Sequence, residues 1–211
     1  MLAEPGRRTI QSMSDLTIYG FETSNNMKVR VALGLKGIPY RFRTIDPADR
    51  EEVLGLSRQR LTPVLQHGDV VLSDSAAILR YLDANFAGPG LYGSSVKEQW
   101  EVDDWELFAR SELAGPMLQV VHNRVQGTPL DAAAEARCAE AFAAACGKLA
   151  AGLAGREWLV GERITAADVT AAPVMHRIRA SKLLPWPDAA KPLEGWIDKV
   201  MAYDGVGRLA D

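Results

Sequence analysis

The order of strand and helix signals in this sequence predicts an α/β domain followed by an all-helical one. Three observations carry that prediction. Strand-like and helix-like runs alternate up to Phe86, strand signals stop from Ser94 onward, and Ala87-Gly88-Pro89-Gly90-Leu91-Tyr92-Gly93 separates the two regimes with three glycines and a proline. The domains are accordingly placed at residues 14–87 and 96–211.

Leu16-Thr17-Ile18-Tyr19 is a short β-rich run ended by Gly20. A helix follows from Met27 to Lys36, with Ser24 or Asn25 as its cap and Gly37 then Pro39 as its stop. Met27, Val29, Val31, Ala32, Leu33 and Leu35 cover most of its circumference, so it should be largely buried. Tyr40 to Ile45 alternates with period two and reads as a strand with one solvated face. An acidic turn of helix is expected near Asp46–Leu56, then a hairpin of Val64-Leu65-Gln66 and Val70-Val71-Leu72 joined by His67-Gly68-Asp69. A helix capped by Asp74 or Ser73 carries the stripe Ile78, Leu79, Leu82 and Phe86. In the second half, one long helix from Lys97 to about Gln126 should kink at Pro116, where proline removes an i→i−4 bond. An alanine-rich helix runs from about Asp131 to Leu153, a third starts at a capping box of Thr165 and Asp168, and a fourth covers about Ala189 to Tyr203.

Composition narrows the function. The 211 residues are 47% hydrophobic and 24% charged, the proportions of a soluble globular chain. Twenty-four basic against 27 acidic residues leave a net charge of −3 and no electrostatic footprint for nucleic acid. No apolar run reaches the ~20 residues that span a bilayer, and the stretch after Arg7-Arg8 is no signal-peptide core. Residues 1–13 read as a disordered extension, and the expected compartment is the cytoplasm. Cys138 and Cys146 cannot form a four-ligand zinc site, and no metal is expected. On one helix they would stand about 12 Å apart, too far for a disulfide.

Three segments carry chemistry. Thr23-Ser24-Asn25-Asn26 places hydroxyl and amide groups at the positive end of a helix, where an anion is stabilised. A thiolate would suit it. Lowering a thiol of pKa about 8.5 by two units takes about 2.7 kcal/mol. One hydrogen bond to the charged sulfur contributes roughly 1.5–3 kcal/mol, and the helix terminus a further ~0.3–1 kcal/mol. Thr62-Pro63 opens a strand; were that bond cis, the preceding backbone N–H and C=O would face outward for an extended peptide. Leu72-Ser73-Asp74-Ser75 joins an acid and hydroxyls to a second helix N-terminus, suited to a zwitterionic amino-acid head group. Each segment by itself also fits simple helix capping or an ordinary trans proline.

Taken in order and spacing, the segments resemble the glutathione transferase superfamily. The resemblance rests on Tyr19-Gly20-x3-Ser24-x3-Lys28-Val29-Arg30-x-Ala32-Leu33-x3-Gly37-Ile38-Pro39-Tyr40, on Thr62-Pro63-Val64-Leu65 and on Asp74-Ser75-Ala76-Ala77-Ile78-x2-Tyr81-Leu82. Trp158-Leu159-Val160-Gly161-Glu162-x-Ile164-Thr165-Ala166-Ala167-Asp168-Val169 is similar to that family's helix-capping signature. It implies a thioredoxin-like N-terminal domain with a mixed four-stranded sheet, an all-helical C-terminal domain and a two-fold homodimer. It also implies that Pro63 is cis, that Thr62 presents its backbone to the cysteinyl part of glutathione, and that Asp74 and Ser75 hold the γ-glutamyl end, with Gln59 near the ligand backbone. Ser24 matches the serine that activates the thiol in theta-, zeta- and bacterial-type members, with Tyr19 and Asn26 as other candidates for the sulfur.

The implied reaction is a detoxifying conjugation of glutathione, a co-substrate rather than a cofactor, to a small hydrophobic electrophile. Glutathione-dependent disulfide or peroxide reduction and a non-catalytic binding or regulatory role are the rival readings. The sequence departs from the family at Thr62, where Val or Ile is usual, and at Ser57-Arg58-Gln59-Arg60, where Asn-Pro-x-Gly is usual. Thr23-Ser24-Asn25-Asn26 also lacks the Ser-Ser-Cys of zeta members. Trp105, Phe108, Met117, His122 and Arg124 are placed by position near the electrophile, and Arg177, Arg179 and Lys182 on a solvated helix face.

Overall fold

The computed structural model describes residues 16–210, and the extension expected at residues 1–13 lies outside them. The first half runs β1 (Leu16–Gly20), α1 (Ser24–Leu35), β2 (Arg41–Thr44), α2 (Glu51–Ser57), β3 (Val64–His67), β4 (Val70–Leu72) and α3 (Ser75–Asn85). Its sheet is mixed, in the order β2-β1-β3-β4. β1 pairs in parallel with β2 and antiparallel with β3, which puts Ile18 opposite both Phe42 and Leu65. The β3–β4 hairpin sets Leu65 against Leu72, with Gly68 of its turn at a φ of 57°.

Alternation along β1 divides the two faces of the sheet. Leu16 and Ile18 belong to the main core with Val29 and Leu33 of α1 and Ile78, Leu79 and Leu82 of α3. Tyr19 points the other way, onto Ile45, Val53 and Val64 beside α2. Gly37, at a φ of 65°, ends the α1 turn where a β-carbon would be strained.

The second half is helical: α4 (Val96–Phe108), α5 (Gly115–Val125), α6 (Ala132–Gly152), α7 (Ala166–Ser181) and α8 (Glu194–Met201). The single kinked helix expected over Lys97–Gln126 is instead two helices joined by a π-helical segment at Ala109–Leu113, closed by Ala114 N–H donating to the Ala109 carbonyl at 3.0 Å. The break lies ahead of Pro116, because proline in the first turn of α5 sits where no N–H is required. The fourth helix also divides, into a 3₁₀ turn at Asp188–Leu193 containing Pro192 and then α8. The capping box of α7 is as expected: Asp168 Oδ2 accepts from Thr165 N–H at 3.0 Å, while Oδ1 accepts from Leu159 N–H and Trp196 Nε1, both at 3.0 Å. Cys138 and Cys146 are free thiols buried in α6. No helix among the described residues is long and apolar enough to cross a membrane.

The two halves meet around a buried carboxylate. Glu106 of α4, 3% exposed, accepts through Oε1 from Lys28 Nζ of α1 at 2.8 Å and from Thr170 Oγ1 of α7 at 2.9 Å. Its Oε2 accepts from the Tyr92 hydroxyl at 3.1 Å. Lys28 is itself 1% exposed, and burial pulls its pKa down against the opposing pull of Glu106. Breaking one side of such a pair leaves an uncompensated charge in the interior, at a cost of about 3–5 kcal/mol. Lys28→Met should therefore destabilise the fold by about that much, and adding Glu106→Gln should restore part of the loss. Urea unfolding of the two single variants and the double variant measures the coupling; strictly additive effects would show that the pair does not act as a unit.

Candidate active site

The start of α1 determines what Ser24 has available. Thr23, not Ser24 or Asn25, caps the helix: its side chain accepts from Asn26 N–H at 3.3 Å. The resulting first helical residue is Ser24, half-buried, whose hydroxyl makes no hydrogen bond among the described residues. Capping by its neighbour leaves that donor unused beside the free N–H groups of the helix terminus.

Asn26 lies underneath. It is 0% exposed, and its Nδ2 donates to Thr23 Oγ1 at 2.7 Å and to Thr62 Oγ1 at 3.1 Å. Its Oδ1 is buried without a donor, and a β-carbon added at Gly20 would stand 1.7 Å from that oxygen. Asn26 therefore joins the first turn of α1 to the loop before β3, with Gly20 leaving the room for its amide. The threonine that departs from the family pattern is the residue Asn26 grips.

The Thr62–Pro63 bond is cis, and the main chain of Thr62 makes no backbone hydrogen bond among the described residues. Gln59 Nε2 donates to Ser73 Oγ, tying this loop to the start of α3. There Asp74, rather than Ser73, is the cap, accepting from Ala77 N–H through Oδ1 at 2.8 Å. Asp74 is exposed, and Ser75 beside it opens the helix at 8% exposure. Asn26 thus ties Thr23, next to Ser24, to Thr62, and Gln59 ties the loop before Pro63 to Ser73, next to Asp74 and Ser75, so that the N-termini of α1 and α3 are both bonded to that loop.

The other candidates are held by contacts of their own. Tyr19 sends its hydroxyl to Gln66 Oε1 at 2.8 Å on the α2 side of the sheet, and burial raises the phenol above its ordinary pKa. Trp105 and Phe108 pack edge to face at 5.2 Å between centroids and line a cleft of ≈ 450 Å³ with Leu107, Ser111, Glu112 and Lys148. Among the described residues, none of the first half lines that cleft. Trp105 instead covers Gly152 of α6, where an added β-carbon would lie 2.5 Å from the indole. Met117 is core, and His122 is exposed on α5. No group of three metal-ligating side chains occurs among the described residues.

Two family models match the chain: "Glutathione S-transferase, N-terminal domain" over residues 18–90 and "Glutathione S-transferase, C-terminal domain" over residues 132–199. The chain belongs to the glutathione transferase family. Glutathione S-transferase F10 of Arabidopsis thaliana is 27% identical over 168 residues, 75% of this chain and 78% of the relative. Elongation factor 1-gamma of Trypanosoma cruzi is 40% identical over 111 residues, 52% of this chain but only 26% of the relative's length. Among solved structures, a glutathione S-transferase domain-containing protein of Marinobacter aquaeolei superposes with a TM-score of 0.75 at 25% identity, covering 88% of this chain and 97% of that one.

Within the glutathione transferase fold, the sequence reading missed one set of polar residues. Lys28 and Arg30 lie in a helix whose other buried positions are mostly apolar, and two cations there require buried partners. Their partners, Glu106 and Asp204, are far along the chain and carry no local mark. Arg177, expected on a solvated face, donates to the Glu22 carbonyl oxygen just before α1.

Proposed function

We propose that this chain is a glutathione transferase in which Ser24 donates a hydrogen bond to the glutathione sulfur. The observation that carries the reading is the Ser24 hydroxyl, which nothing in the described protein uses, at a helix N-terminus next to the cis Thr62–Pro63 loop. In this reading the Thr62 main chain pairs with the cysteinyl part of glutathione, while Asp74 receives its ammonium group and Ser75 its γ-glutamyl carboxylate. Gln59 holds the loop against α3 through Ser73. The thiol proton goes to solvent, the thiolate attacks the electrophilic carbon, and in a substitution the leaving group departs with its electron pair. The protein contributes a lowered thiol pKa and a fixed approach. Trp105 and Phe108 then support α4 against α6, and Tyr19 braces the sheet.

Removing one preorganised donor to a developing anion costs roughly 10²-fold in rate or more. Ser24→Ala should lower turnover of an aryl halide with glutathione about 10²-fold and raise the pKa of the bound thiol. Unchanged turnover would assign thiol activation to the backbone N–H groups of α1. Glutathione-dependent reduction of a model disulfide, assayed beside the aryl halide, tests the related redox reaction at the same site.

A second reading, a non-catalytic binding protein, is favoured by the likeness to a chain named elongation factor 1-gamma. Retention on immobilised glutathione separates the two. A transferase is retained and eluted by free glutathione, and Asp74→Ala should release it; a chain that passes unretained has no working glutathione site.

The same reading carries a homodimer and a cytoplasmic location. Val96, Trp100 and Leu107 on α4 are 63%, 68% and 57% exposed, an apolar stripe suited to a second copy. Trp100→Glu should halve the molar mass seen by light scattering; a wild-type chain already monomeric sinks that part.

A further inference from the structure

Glu22, two residues ahead of Ser24, is held at both its side chain and its main chain. Arg30 of α1 donates to Glu22 Oε1 from Nη1 at 2.8 Å and to Oε2 from Nη2 at 3.2 Å. The same guanidinium donates to Asp204 Oδ1 from Nε at 2.6 Å and to Oδ2 from Nη2 at 2.8 Å. Arg177 of α7 takes the Glu22 carbonyl. Arg30 is 6% exposed and bridges two carboxylates with both edges of its planar group, a geometry lysine cannot reproduce.

Asp204 lies in the tail after α8, and that tail returns to the first half of the chain. Tyr40 N–H donates to the Gly207 carbonyl at 3.1 Å, and Leu209 N–H donates to the Tyr40 carbonyl at 2.8 Å. A β-carbon at Gly34 would stand 2.0 Å from the Tyr203 carbonyl oxygen, so α1 accepts the tail this closely only through glycine. From Glu22 the restraint passes directly to the site. Thr23 caps α1 through its side chain and accepts from Met27 N–H through its carbonyl at 3.0 Å, and Ser24 follows.

We propose that the Asp204–Arg30–Glu22 clamp is a positioning device for Ser24, through which the C-terminal tail sets the geometry of thiol activation. The proposal rests on the reading of Ser24 as the thiol-activating residue. Glu22 is a poor candidate for a purely structural tie: its side chain is 67% exposed against 20% for Asp204, and without it the buried Arg30 guanidinium still keeps its two hydrogen bonds to Asp204. Nor does its charge help the chemistry directly, because a carboxylate near the site opposes a thiolate. What remains is placement, and a displacement of about 1 Å at a reacting group can cost on the order of 10²-fold in rate.

Electrostatics and positioning move the bound thiol in opposite directions, which makes the clamp testable. Glu22→Gln and Asp204→Asn are measured for urea stability, for kcat and KM with glutathione and an aryl halide, and for the pKa of bound glutathione by ultraviolet thiolate absorbance. Each variant is made alone and combined with Ser24→Ala. Positioning predicts that Glu22→Gln lowers kcat about tenfold and keeps KM for glutathione within about twofold. The thiol pKa rises, Asp204→Asn acts in the same direction, and both effects vanish when Ser24 is already alanine. A thiol pKa that falls or stays put, or a kcat loss that persists in the Ser24→Ala background, overturns the clamp. Should Ser24→Ala cost its ~10²-fold while both clamp variants behave as wild type, only the clamp fails. Should Ser24→Ala itself change neither kcat nor the thiol pKa in a chain that still binds glutathione, the Ser24 reading fails, and the clamp with it.

Discussion

Glu106 is the group on which the arrangement of the two halves depends. It is a carboxylate almost without solvent, and its two oxygens draw donors from α1, from α7 and from the connecting segment at Tyr92. Desolvating a carboxylate and an ammonium costs several kcal/mol each, which their mutual attraction offsets only when geometry and additional hydrogen bonds are good. That requirement leaves little freedom in how α4 approaches α1. A hydrophobic contact tolerates sliding; a three-donor carboxylate does not. Ser24 stands one turn before Lys28 on the same helix, so the relation of the site to the helical half is set here.

At the N-termini of α1 and α3, capping falls to one residue, and the hydroxyl of the next makes no hydrogen bond among the described residues. Thr23 caps α1 and Ser24 follows it; Asp74 caps α3 and Ser75 follows it. A hydroxyl that caps its own helix has its lone pairs directed at backbone N–H groups and is poorly placed to serve a ligand. Moving the cap one residue upstream stabilises the helix and keeps the next hydroxyl for other work. Asn26, in the first turn of α1, then fixes the distance between that helix and the Thr62–Pro63 loop, and its buried, undonated Oδ1 is the local cost of the arrangement.

The parts of the fold that were legible in the sequence share a physical character. Gly37, the capping box of Thr165 and Asp168, the hairpin around Gly68 and the alanine-rich α6 are read from residues within a few positions of each other. Elsewhere a local signal is correct and its consequence depends on context. Pro116 does mark a discontinuity, but the wider turn at Ala109–Leu113 absorbs it one segment earlier. Trp105 and Phe108 are on the expected helix, and their direction was decided by Gly152 and Lys148 on α6, which no periodicity in α4 announces.

The sequence by itself determined the order of strands and helices in the first half, the stop of α1 at Gly37 and the capping box of α7, together with the family to which the chain belongs. Those properties follow from backbone preference, capping chemistry and apolar period, all of which act over a few residues. Only the tertiary structure decided which hydroxyl is left unused, which face of β1 takes Tyr19, and how the buried cations of α1 are satisfied. These outcomes depend on partners 36 residues apart for Asn26 and Thr62, 78 for Lys28 and Glu106, and 174 for Arg30 and Asp204. A charge or an amide in a sequence states that a partner is needed; only the packed chain, where desolvation makes an unpaired group costly, says which one it is.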